Sequence, residues 1–275
     1  MRALISADME GATGVTAPDD CIPGKTAYAR FQPLFTGDVN AVALGFFDAG
    51  VDEVVVTEAH GGMRHLLIEQ LDPRISMISG KNRVFAMLEG IQDRPDLVAF
   101  VGYHGAAGTE GILSHTFMAS PLTGVTLNGR VMSEGYLNAL LASEYGAKLA
   151  LVSGDDITCH DAAGYAPHSR QVPVKFAVDR YTARCLSPET TSGLLREAAA
   201  ASVDSCTLAP LPEPPFECVA TFGVSNSAMA AALVPGVDRV DDRSVAFTFG
   251  TIAELYHCYH VVITMASLAS EPGYG

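Results

Sequence analysis

No stretch of this sequence is apolar for long enough to cross a bilayer as a helix. The best run, Val261 to Leu268, is well under half of what a spanning helix needs. Met1 to Ala7 is too short for a targeting core and leads straight into Asp8 and Glu10, so no signal peptide is visible and a cytoplasmic protein is expected. Basic residues are scarce: 17 lysines and arginines stand against 31 acids, a net charge of −14. Such a surface repels phosphate backbones, which disfavours nucleic-acid binding, and it draws cations into any cleft that focuses its field. The six cysteines (Cys21, Cys159, Cys185, Cys206, Cys218 and Cys258) include no CxxC pair. That argues against a thiolate zinc knuckle and against a disulfide scaffold. Nucleotide signatures are also missing. Gly24-Lys25-Thr26 ends like a phosphate-binding loop, but Asp19 stands where the first glycine would fall, and Gly11 to Gly14 lacks the three-glycine dinucleotide pattern.

What remains is a globular chain of 275 residues, 48% hydrophobic, large enough for one big α/β domain or two modest ones. Short apolar runs at 1–7, 52–57, 97–103 and 149–153, with a weaker one at 75–78, read as buried strands. Helical spacing lies between them: 26–49 with an interruption at Pro33, 64–71, 83–90, and 133–145 with Ser133 as N-cap. The alternation predicts a three-layer α/β domain around a mainly parallel sheet. The rest reads differently. A helix over 187–202, with Ser187 as N-cap and Pro188 first, precedes a proline-rich stretch at 210–215. Strands at 217–222 and 244–249 alternate with helices near Ala228 and over 252–268. This suggests a smaller C-terminal α+β unit, residues 191–275, after a catalytic unit at 1–190.

Chemistry is suggested by where acids and histidines fall. Asp8 and Glu10 lie just past the first strand, two apart and so on one side of extended backbone. His60 lies just past the second long strand and His104 just past the third. In an open parallel sheet, ligands gather at the carboxyl ends of strands. Singly, such an Asp is usually a cap and such a His a satisfied polar side chain. Together they form a set of two imidazoles and two carboxylates that suits divalent ions, and two ions would need a further ligand such as Glu134. His115 follows His104 across a glycine-rich loop and suits a supporting or general acid/base role. His65 reads as surface, His257 and His260 as packing or surface, and Asp155-Asp156 as a helix cap.

These residues resemble a known family. Asp8-Met9-Glu10-Gly11 looks like the opening motif of the zinc-dependent D-aminopeptidases. The resemblance continues, in order, through Glu58-Ala59-His60-Gly61, Gly102-Tyr103-His104, Ser114-His115, Ser133-Glu134-Gly135 and Gly154-Asp155-Asp156 to Cys185-Leu186-Ser187-Pro188. It implies that Asp8, Glu10, His60, His104 and Glu134 hold two zinc ions, with Asp8 bridging, and that His115 is the catalytic residue. It also implies release of N-terminal D-residues from short peptides by metal-activated water, and a homodecamer of two stacked rings. The same ligand types would serve a two-metal phosphoesterase, although only Arg64 stands near them in sequence to hold a phosphate. A non-catalytic assembly protein that keeps the fold is the third reading.

Overall fold

The computed structural model describes residues 1–118 and 121–269. The chain begins with β1 (Arg2–Ala7), a short α1 (Pro18–Cys21) and a long α2 (Tyr28–Asp48). Then come β2 (Glu53–Glu58), β3 (Ile75–Ile78), β4 (Leu97–Val101), β5 (Leu122–Leu127) and β6 (Arg130–Val131). The middle holds α3 (Glu134–Glu144), β7 (Lys148–Asp155), α4 (Asp156–Tyr165), β8 (Arg170–Asp179), β9 (Thr182–Cys185) and α5 (Pro188–Ser202). Last are β10 (Phe216–Phe222), α6 (Ser225–Ala231), β11 (Asp238–Arg239), β12 (Ser244–Phe249) and α7 (Ile252–Leu268).

Seven strands form the main sheet in the order β3-β2-β1-β4-β7-β8-β9, parallel except for β9. Both faces are covered, which is why its inner strands read as largely apolar runs. Along β1 the side chains alternate: Ala3, Ile5 and Ala7 join Val39, Val42 and Phe46 of α2 and Leu195 and Ala199 of α5. Leu4 faces the opposite core with Phe100, Leu137 and Leu140. A second, antiparallel sheet has the order β11-β12-β10-β5-β6 and packs with α3 and α7 on that opposite side. It takes strands from both sides of residue 190, and α5 lies against α2. Residues 270–275 of the expected C-terminal unit lie outside the described residues.

Several local expectations change. Helix α2 runs through Pro33 without interruption. The bond that Pro33 cannot donate would have gone to the carbonyl of Ala29, which is exposed and so open to water. Residues 64–71 are not a helix, and only Ile68–Gln70 makes a 3₁₀ turn. The Glu58 carboxylate captures the backbone N–H groups of His65 (2.5 Å) and Leu66 (3.2 Å), holding this segment as a turn. Within 83–90 only Ala86–Leu88 is helical, again 3₁₀. The N-caps Ser133 and Ser187 are as expected, each accepting from the N–H three residues on.

The chain leaves β1 on one side, through β2 and β3, and returns at β4 on the other. The crevice between the ends of β1 and β4 is therefore the switch point where such sheets bind ligands. Two glycines let the strand ends close there. Gly11 N–H donates to the Gly102 carbonyl at 2.7 Å. A Cβ on Gly102 would stand 2.1 Å from the Asp8 carbonyl oxygen, and its φ of +72° disfavours any side chain. Gly102→Ala is accordingly expected to cost about 3 kcal/mol or more, read from the urea midpoint at constant slope.

Candidate metal centre

All six expected residues arrive in this crevice. Asp8 and Glu10 come from the turn after β1, His60 from the end of β2 and His104 from the end of β4. His115 returns on the loop after His104, its N–H bonded to the Gly105 carbonyl at 3.1 Å. Glu134 is the first residue of α3, so the Ser133 cap that starts the helix also aims the carboxylate. Asp8, Glu10, His104 and Glu134 are buried, while the side chains of His60 and His115 are 12% and 13% exposed.

Each imidazole is oriented by a backbone carbonyl. His104 Nδ1–H donates to the Gly105 carbonyl at 3.0 Å, leaving Nε2 3.4 Å from Asp8 Oδ2 and 3.3 Å from Glu134 Oε1. His60 Nε2–H donates to the Cys21 carbonyl at 3.1 Å, so Nδ1 faces Glu10 Oε2 at 2.7 Å and Asp8 Oδ1 at 3.4 Å. His115 Nδ1–H donates to the Leu113 carbonyl at 2.8 Å, and its Nε2 lies 3.7 Å from Glu10 and 3.8 Å from Glu134. His115 stacks on His104 with centroids 4.0 Å apart. Tying one ring nitrogen to a carbonyl is how proteins fix the tautomer that turns the other lone pair toward a cation.

Charge balance points the same way. Three carboxylates converge, and among the described residues no lysine or arginine forms an ion pair with them. Burial, and next the charge on Glu10, push the Asp8 carboxyl up to about 7. Burial also opposes charge on Glu10, but the three imidazoles, His60 foremost, together outweigh it and hold that carboxyl well below its usual range. Burial opposes charge on His104, but Glu134, Asp8 and Glu10 together outweigh it and raise the imidazole to about 10. Burial, then the neighbouring His104, lower His115. Buried acids that cannot all keep their charge, facing imidazole lone pairs, fit divalent cations. The donor atoms group accordingly. Asp8, Glu10 and His60 form one set within 4.8 Å, Asp8, His104 and Glu134 a second, and Glu10, His104 and His115 a third.

Other residues hold this arrangement in place. Lys175 on β8 is fully buried, and its Nζ donates to the carbonyls of Glu10 (2.6 Å), Ala12 (3.0 Å) and Val15 (2.6 Å). Burial lowers its ammonium to about 8. Asp155 caps α4 by accepting from Thr158, and it also accepts from Ile112 N–H in the loop that carries His115. His65, expected at the surface, is buried. Its Nδ1 bonds Tyr28 Oη at 2.9 Å, and its ring packs edge-on to His60 at 4.5 Å. His260 and His257 of α7, expected only to pack or face solvent, line a cavity of about 570 Å³ that contains the centre. A second cavity of about 590 Å³ shares Glu10, His60, His115 and Phe117 with it.

Residues 1–261 match the peptidase family described as D-aminopeptidase. The chain belongs to that D-aminopeptidase family. It is 31% identical to the D-aminopeptidase of Bacillus subtilis (strain 168), over 98% of this chain and 99% of that one. Among solved structures it is similar to the Zn-dependent D-aminopeptidase DppA from Bacillus subtilis, described as a self-compartmentalizing protease. The TM-score is 0.93 at 30% identity, covering 97% of this chain and 98% of the other. Membership makes this chain a peptidase, and it agrees with the α/β fold expected from the sequence.

Proposed function

We propose that this chain releases N-terminal D-amino acids from short peptides, and that Asp8, Glu10, His60, His104 and Glu134 hold two zinc ions for the purpose. One observation carries the reading: two sets of ligand atoms share Asp8, one oxygen turned to His60 and the other to His104. A carboxylate so placed suits bridging. Zinc is chosen because the donors are imidazole and carboxylate and the similar Bacillus protein is described as Zn-dependent. Held by these residues, zinc would supply Lewis acidity toward a peptide carbonyl and a water.

The protein's own residues supply the rest. Carbonyls of Cys21 and Gly105 hold the two ligand imidazoles in one tautomer. Lys175 fixes the turn that carries Glu10. His115, anchored at Nδ1, keeps Nε2 for proton traffic: lowered toward the neutral form, it accepts a proton and passes it to the departing amine. Residues 1–190 supply every group of the centre, and residues beyond 190 complete the cavity wall through α7. No helix among the described residues is long and apolar enough to cross a membrane. We read the protein as cytoplasmic and, by likeness to the self-compartmentalizing relative, as a homodecamer. The family match leaves the phosphoesterase and assembly-only readings without support.

The test is a screen of paired D- and L-dipeptides, before and after dialysis against a chelator. D-peptides are expected to be cleaved, the activity to vanish with the metal and to return on adding zinc. Hydrolysis indifferent to chelation, or confined to L-peptides, contradicts the proposal.

A further inference from the structure

The cavity around the centre is electrically lopsided. Its three acids, Asp8, Glu10 and Glu134, all belong to the centre. Away from them, the polar groups that line it are Lys81, Asn82, Arg83, His257, His260 and Thr264, with no carboxylate among the described residues. In a chain with almost twice as many acids as bases, that segregation is informative.

Lys81 stands out within this set. It sits on the loop after β3, and the loop is firmly held. Arg83 Nη1 donates to Thr57 Oγ1 (2.9 Å) and the Glu58 carbonyl (2.7 Å), and Nη2 donates to the Ile78 carbonyl (3.0 Å). Gly80 N–H donates to the Met63 carbonyl at 2.7 Å. Arg83 is thus occupied in anchoring the loop. The Lys81 ammonium, exposed at the cavity, has no carboxylate or carbonyl partner among the described residues.

We propose that Lys81 binds the C-terminal carboxylate of the substrate and so restricts it to short peptides with a free carboxyl end. This rests on the peptidase reading above. A short peptide at neutral pH carries an ammonium at one end and a carboxylate at the other, which matches an acidic centre facing a basic rim. The lengths agree. β3 lies two strands from β1, a span of about 10 Å at about 4.8 Å per strand. An extended chain covers about 3.5 Å per residue, so two or three residues bridge from the Asp8 turn to the Lys81 loop. The donors on α7 form the facing wall, where they can hold the peptide's remaining polar groups.

The experiment compares D-Ala-D-Ala with its C-terminal amide on the metal-loaded enzyme, using wild type, Lys81→Met and Lys81→Arg. Wild type is expected to show a KM about tenfold lower for the free acid, an advantage that shrinks with added salt. Lys81→Met is expected to bring the amide-to-acid KM ratio close to one, and Lys81→Arg to keep most of it. Equal KM values in wild type, or a ratio that Lys81→Met leaves intact, overturn the proposal. Calorimetric titration with the same two peptides reads the preference without turnover. If neither peptide is cleaved, the peptidase reading fails, and the titration still decides for or against Lys81.

Discussion

Asp8→Asn is expected to lower turnover on D-dipeptides by about a thousandfold or more and to strip metal from both positions at once. Asp8 is 2% exposed and belongs to both sets that define the proposed ion pair. Its Oδ1 faces His60 and its Oδ2 faces His104, each at 3.4 Å. Asparagine keeps the shape but loses the negative charge, and its NH₂ group must point donor hydrogens at one of those lone pairs. Losing metal chemistry worth several kcal/mol corresponds to three or more decades in rate. Glu134→Gln is the informative partner, since Glu134 belongs to one set only. Elemental analysis should find both metals depleted in Asp8→Asn and one in Glu134→Gln. A full metal complement in Asp8→Asn would falsify the shared-ligand assignment.

His115→Ala should separate catalysis from metal binding. Turnover is expected to fall by about 10²- to 10⁴-fold, the usual worth of a positioned acid/base, while metal content stays at the wild-type level. The geometry makes this a sharp test, because Glu10, His104 and His115 also form a set compact enough to hold an ion. His115 Nε2 nevertheless stands 3.7 and 3.8 Å from its nearest carboxylates, farther than either proposed ligand imidazole stands from its own. It also lines both cavities, as a residue handling substrate protons should. Loss of metal along with activity would make His115 a ligand and end the acid/base role.

The centre was legible because its residues follow a rule visible in one dimension. Asp8, Glu10, His60 and His104 each come just after a short, largely apolar run, and in a parallel sheet those ends meet. Glu134 was legible through its cap, Ser133. The supporting groups were not. Lys175 lies on β8, a strand the periodicity does not reveal, and nothing local marks a lysine whose partners are carbonyls some 160 residues away. His65 was misplaced because residues 64–71 carry helical spacing, which the Glu58 carboxylate overrides by capturing two backbone N–H groups. β6 is only two residues long, and β5 pairs with β10 from the far end of the chain, a partnership no neighbouring residue announces.

Helix α7 reaches the cavity from more than a hundred residues beyond the last residue of the centre, and none of its side chains belongs to a ligand set. Part of the cavity wall is therefore encoded well apart from the residues proposed to hold the ions. Variation along one turn-spaced row, His257, His260, Val261 and Thr264, could retune which peptides fit while the inorganic chemistry stays unaltered. A lineage could thus diversify its diet without passing through inactive intermediates.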